Sequence, residues 1–229
     1  INTSARHKNA VRPAHKSAIA LLERAAQIRE KTGQAARAEA DFALLAKAGA
    51  IDAKTAAHRS LQAYRTAGDP VGAAAAATRL AELGGDGPVA QLTLGRTALQ
   101  GGKPDAAASH FRRAVLLAKS APSPEERDAA AQAAFQLNED LKRSFDEVRY
   151  ADATDVGAIQ RKLAILSALE KREAEVVGFG SGEWAIAALY RVAQGYKELA
   201  EFLRQAPVPE GVESAEYAAL LADKARPLD

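Results

Sequence analysis

Cysteine and methionine are both absent from the 229 residues, and there is a single tryptophan. The lack of cysteine excludes disulfides, thiol chemistry and cysteine-ligated zinc. It selects no compartment, because reducing and oxidising locations both accept a cysteine-free chain. Aromatic residues make up only 5%, and β-branched residues are sparse, which argues against sheet. No run of ~18 apolar residues occurs, so no transmembrane helix is expected. No signal-peptide pattern is visible. With Ile1 first and no methionine, the sequence is expected to be an excised or processed fragment. A removed signal, a lipid anchor or further repeats are all compatible with that. Excess charge is also lacking. The formal net charge is +2, so no strong electrostatic pull on nucleic acid is expected.

What the chain has in abundance is alanine, the strongest helix former. Few large side chains in a folded chain imply helices packed closely through alanine. The length allows one or two domains. Amphipathic helices are predicted from Val11 to Lys31, with Ile19, Leu22, Ala26 and Ile28 inward, and from Ala35 to Lys47, with Ala38, Phe42 and Leu45 on one stripe. The next runs from Asp52, a good N-cap, to Thr66, with Leu61 and Tyr64 inward. Gly68-Asp69-Pro70 is a turn, and another helix reaches Leu83. Gly84 to Pro88 breaks the chain again.

The stretch from Pro88 to Pro122 organises this half. Two amphipathic helices flank Gly101-Gly102-Lys103-Pro104. The first carries Leu94-Gly95 and Ala98, and the second carries Ala107, Phe111 and Ala114 on one stripe. Small residues there let two antiparallel helices approach, and large ones lock them. The turns are in register: Gly68 lies 35 residues after Gly33, and Gly102 lies 34 after Gly68. Phe42, Ala77 and Phe111 follow the same spacing.

This order and period resemble the tetratricopeptide repeat. Gln91 and Ala98 stand where the family pattern has Trp and Tyr. The resemblance implies an all-α, right-handed α-solenoid of helix pairs. Residues 1–18 are read as an arm or the end of a preceding helix. Three repeats follow at about 19–52, 53–87 and 88–121, and 122–229 is a helical extension with longer antiparallel helices.

In that extension Ser123, Pro124, Glu125 and Glu126 form a strong helix start. Nothing interrupts the pattern up to Tyr150, so one unbroken helix is predicted, with Glu139 and Arg143 paired four apart on its surface. Asp152 to Asp155 is a turn. A helix from Val156 to Val177 turns Ile159, Leu163, Leu166 and Leu169 inward. The last long helix, Glu183 to Gln205, runs inward through Trp184, Ala188, Tyr190 or Arg191, Gly195, Leu199 and Phe202. Ser214 to Ala225 forms a final helix.

The words from Glu183 to Pro227 (EWAIAALYRVAQGY, then APVP, EY and KARP) resemble modules of large tetratricopeptide proteins in bacterial gliding-motility and cell-envelope machinery. That resemblance implies an envelope-associated scaffold, periplasmic or at the outer membrane, with the cytoplasm as the alternative.

In tetratricopeptide proteins the first helix of each repeat lines the concave face. The family pattern places Thr55, His58, Gln62 and Arg65 there, and Val89, Leu92, Arg96 and Leu99 in the next repeat. Arg65 and Arg96 fall near equivalent positions, where they can clamp a carboxylate. Val89, Leu92 and Leu99 would form an apolar shelf beside them. Trp184 and Tyr196 are candidates for a second partner surface.

No motif for chemistry is found. Gly178 to Gly182 follows a helix and lacks the Walker Lys-Ser/Thr, so it reads as a C-cap joined to an N-cap. His7, His15, His58 and His110 form no metal-binding pair, and His110 is read as facing outward. Lys8, Arg12, His15 and Lys16 form a basic patch at a helix end. No nucleophile elbow occurs. The expected function is therefore a non-catalytic scaffold or assembly factor without cofactor or metal, binding a protein or peptide within a larger complex or homo-oligomer. The alternatives are a regulatory subunit that binds a small ligand, and a polysaccharide or peptidoglycan binder.

Overall fold

The computed structural model describes residues 4–120, 123–152, 155 and 157–228, with the backbone alone for 4–15 and 120. Side chains of His7, Lys8, Arg12 and His15 therefore lie outside the description, as do Pro122, residues 153 and 154 of the expected 152–155 turn, and Val156. The described chain is helical throughout, with no strand among the described residues. No helix among them is long and apolar enough to cross a membrane. The chain divides into two compact units, Ile1–Leu117 and Ala118–Asp229.

The first unit holds six helices: α1 Ser4–Lys31, α2 Ala35–Lys47, α3 Ala53–Ala67, α4 Pro70–Glu82, α5 Pro88–Gln100 and α6 Pro104–Leu117. Each packs on its successor, and α1 packs also on α3. Local chemistry sets the boundaries. The Asp52 carboxylate accepts from Thr55 N–H at 2.7 Å and starts α3. The Asp69 carboxylate accepts from Val71 and Gly72 N–H and starts α4, with Pro70 in the first turn. Gly33, Gly68 and Gly102 carry φ of 72°, 68° and 69° inside the helix pairs, and Gly49 and Gly84 carry 70° and 68° between pairs. Only glycine enters that left-handed region at little cost. The 35- and 34-residue spacing of the sequence is thus a spacing of helix stops.

Alanine fills most of the buried apolar positions, around Phe42, Leu45, Leu61, Leu80 and Phe111 as the large members. Little area is buried per alanine, so cohesion depends on close approach of backbones. Tyr64 lies against Gly72, where a Cβ would stand 2.2 Å from the ring. Polar ties cross the pairs at the edge of this core. Arg59 lies over the Phe42 ring at 4.3 Å and pairs with Glu30 at 3.0 Å. Arg29 pairs with the buried Asp41. Against expectation, Ile28 is exposed, because Ala26 takes the inward position on that turn.

The second unit holds α7 Pro124–Leu137, α8 Glu139–Glu147, α9 Gly157–Gly178, α10 Gly182–Arg204 and α11 Ser214–Ala225, with short 3-10 turns at Ala118–Ser120 and Arg226–Leu228. The α9–α10 pair forms its centre. α7 packs on both, α8 on α9, and α11 on α10. Ser123 and Glu126 form a reciprocal capping box at the start of α7. Gly195 lets α10 cross α9 closely, since a Cβ there would stand 2.5 Å from the Leu166 side chain.

Three expectations for this unit are corrected. The unbroken helix from 124 to 150 is two helices, broken at the buried Asn138. Leu163 is exposed, and Lys162 beside it is buried instead, donating to the Phe145 carbonyl at 2.8 Å and lying 3.9 Å from the Phe145 ring centre. Arg143 pairs with Asp140, while Glu139 turns to Arg191. Of Tyr190 and Arg191, the arginine is the inward residue, and Tyr190 is 65% exposed.

Candidate functional site

The first unit carries a cleft of about 440 Å³ lined by α3, the Gly68-Asp69-Pro70 turn, the start of α4 and one face of α5. It exists because α3 and α5 do not pack side by side as α1 and α3 do. The Gly84 to Gly87 linker starts α5 away from α3, with Gly85 held flush on Leu80. Arg65 and Arg96 both line the cleft, and both are exposed. Arg65 donates to the Gln62 side-chain oxygen at 3.2 Å.

The remaining lining is mixed. Pro70 supplies exposed apolar surface, and the buried Leu92 and Ala73 form the floor. Thr93 and Thr97 donate back to the Val89 and Thr93 carbonyls at 2.9 and 3.0 Å, which leaves oxygen lone pairs as acceptors. Asp69 spends one carboxylate oxygen on the α4 cap. Tyr64 donates to Glu39 at 2.5 Å, and Arg79 donates to the same carboxylate. That bond to Glu39, with burial second, pushes the Tyr64 phenol up to about 12. Burial alone would raise the Glu39 carboxyl, but the bonds from Tyr64 and Arg79 outweigh it and hold it below its ordinary range. The Tyr64 wall is therefore fixed in place rather than free to turn. Arg65 and Arg96 line the cleft with one carboxylate, Asp69, and a carboxylate suits the planar fork of an arginine.

The eight positions expected on one face do not share one surface. Arg65, Leu92 and Arg96 line the cleft. Thr55 is exposed but its hydroxyl donates to Asp52, in the cap of α3. His58 is exposed, and Gln62 is half-buried against Arg65. Val89 and Leu92 are only 7% and 4% exposed, which corrects the expected apolar shelf. They face inward because α5 is packed between α4 and α6. Leu99 remains exposed at 43% but lies outside the cleft lining.

His110 is also corrected. It is half-buried, with Nδ1 2.7 Å from the Gln91 oxygen, and Gln91 donates to Asp86 at 2.7 Å. The Asp86 carboxylate orients the amide, so Nδ1 of His110 carries the proton. Arg113 closes the group by donating to Asp86 at 2.9 Å. Gln91, standing where the family pattern has tryptophan, thus serves a polar tie between α5 and α6.

The two residues expected on a second surface also carry internal contacts. Trp184 is half-buried with its ring 5.3 Å from Phe135, and Tyr196 packs on the Phe145, Leu166 and Leu199 core while donating to Glu170 at 3.2 Å. Each is half-buried. The Gly178 to Gly182 turn is a helix junction: Ser181 caps α10 and donates to Asp128 at 2.5 Å. Among the described residues no group of three or more metal-ligating side chains gathers. Sequence reasoning missed Asp69, Thr93, Thr97 and Gln100 as lining residues. The only signal was the Gly68-Asp69-Pro70 turn beside Arg65.

These features define an all-helical chain whose first unit is built from regularly spaced helix pairs around an arginine-bearing cleft. No family model, curated protein or solved structure gives a significant match to it.

Proposed function

We propose that the chain is a non-catalytic scaffold or assembly factor that binds a partner protein through the Arg65–Arg96 cleft. The observation that carries this reading is that both arginines, 31 residues apart in sequence, line one cleft of about 440 Å³. A carboxylate of the partner, on an acidic side chain or at a chain end, is held by the two guanidinium groups, and its apolar portion lies against the exposed Pro70. The first unit is read as a right-handed solenoid of tetratricopeptide-like pairs. The left-handed glycines at 33, 68 and 102 and the packing of α1 on α3 support that reading. The resemblance of the last fifty residues supports placing the scaffold in a bacterial envelope complex, with gliding motility as the candidate process.

The test compares partner capture by the wild type with that by Arg65→Glu/Arg96→Glu. Loss of partners is expected. An unchanged partner set sinks the reading. A second reading, a small anionic ligand, is favoured by the cleft volume, which falls in the range of small-molecule sites. Ligand competition separates the two: free small carboxylates displace a small ligand at equal concentration, whereas a peptide held over a longer surface resists them.

A further inference from the structure

The break between α7 and α8 is made without a helix breaker. From Glu125 to Tyr150 the chain contains neither proline nor glycine, and such a run propagates helix. The backbone nevertheless leaves the ladder at Asn138. In an unbroken helix the Phe135 carbonyl would accept from the Glu139 N–H. Instead it accepts from Asn138 N–H at 3.2 Å and from the Arg191 guanidinium at 3.1 Å.

Arg191 comes from α10 and reaches both sides of the break. Its guanidinium carbon lies 3.4 Å from the Phe135 ring centre, on the last turn of α7. It pairs with Glu139, the first residue of α8. It also pairs at 3.0 Å with Glu173 of α9, whose side chain is 1% exposed. Asn138, at the break, is buried, and its side chain interacts with the Glu173 carboxylate. The polar groups at the break are answered from α9 and α10 and not from the turn alone: Arg191 reaches the Phe135 carbonyl and Glu139, and Glu173 meets the Asn138 side chain. At the far end of α8, buried Lys162 holds the Phe145 carbonyl. Two cations from the α9–α10 pair thus grip α8 at both ends.

We infer that Arg191 is a clasp which holds α7 and α8 bent, and that the same segment becomes one continuous helix when the clasp is released. The bend is a tertiary choice imposed on a sequence whose local preference is straight. Straightening withdraws the Phe145 carbonyl and ring from Lys162 and parts Lys142 from Glu198, which it meets at 3.2 Å in the bent form. It therefore changes the surface that α8 and α9 present. Any partner group that competes for the Arg191 guanidinium or for Glu139 shifts the segment toward the straight form.

Hydrogen exchange of the Glu139, Asp140 and Leu141 amides reads the state directly. They lack ladder partners in the bent form and gain the Phe135, Gln136 and Leu137 carbonyls in the straight one. The variant Arg191→Met/Glu173→Met removes the clasp without leaving a lone buried charge. Its three amides are expected to slow by at least about tenfold while the rest of the unit keeps its protection. If the folded double variant leaves them at the wild-type rate, the proposal is wrong. A companion arm keeps Arg191 and removes the junction residue with Asn138→Ala. Because the arginine sets the bend, these amides are expected to remain fast. Slowing in this arm would assign the break to Asn138 and overturn the clasp, even if the double variant failed to fold.

Discussion

A Cβ placed on Gly95 would lie 2.4 Å from Cε1 of Phe111, so the α5 backbone rests directly on the α6 ring. Phe111 is only 3% exposed and cannot swing into solvent. Alanine at position 95 gains about 1 kcal/mol of helix propensity. It loses more by displacing a buried ring. A net loss of about 1–2 kcal/mol is expected for Gly95→Ala in urea denaturation. Pairing it with Phe111→Leu should recover part of that loss. A neutral or stabilised single variant would show that the two helices do not meet this closely.

This contact was legible in advance, from Leu94-Gly95 on one helix and Phe111 opposite. So were the helix stops, because glycine and proline act locally. Less legible were features that depend on which helix lies beside which. Between Tyr190 and Arg191, hydrophobicity favours burying the tyrosine, yet the arginine is inside because Glu173, Glu139 and the Phe135 carbonyl converge on it. The helix break at Asn138 was invisible for the same reason. Val89 and Leu92 carried no sign that α6 would cover them. Arg65 and Arg96 could be matched by spacing, but the separation of α3 from α5 that opens a cleft between them could not.

The acid response should differ in sign between two carboxylates. Burial alone would raise Glu39, but the Tyr64 and Arg79 bonds place it below the ordinary 4.5. Its contribution is present above pH 4.5 and is lost as the pH falls through the lower folded value. Burial holds Glu173 above 4.5 despite Arg191. Its contribution is complete below pH 4.5 and is lost as the pH rises through the raised value. Relative to Glu173→Gln, the wild type should therefore gain stability as the pH is lowered from neutral towards 4.5. Relative to Glu39→Gln, it should lose stability only below 4.5. Denaturation series across that range test both slopes, and a common sign would contradict the environments described.

Tyrosine ionisation offers a separate check. The bond to Glu39 pushes Tyr64 up to about 12, and burial pushes Tyr150 up to about 12. In an absorbance titration of the folded protein, Tyr64 and Tyr150 should ionise well after an ordinary phenol, and Tyr196, raised by burial and its bond to Glu170, should also be late. Tyr64→Phe should remove one of the late ones. If it removes an early one, the wall of the cleft is not anchored to Glu39.

Ser181 should tolerate alanine better than aspartate. Alanine loses the α10 cap and the bond to Asp128, a cost of about 1–2 kcal/mol. Aspartate is ordinarily as good an N-cap as serine. Here it would bring a second carboxylate to Asp128, which accepts from the serine hydroxyl at 2.5 Å. Fluorescence of Trp184, the single tryptophan, reports the unfolding of this unit. Aspartate performing as well as serine would refute the contact.

The alanine-filled interior of the first unit reverses the usual direction of mutational risk. In a leucine-rich interior, the damaging changes are truncations that leave holes. Here the side chains are already near the minimum, so there is little left to remove, and the space between backbones is too thin to admit more. Sequence drift in this unit is therefore bounded from above: its interior can exchange alanine for serine or glycine at modest cost, but each added methylene pushes two helices apart and is felt at the next turn of the pair.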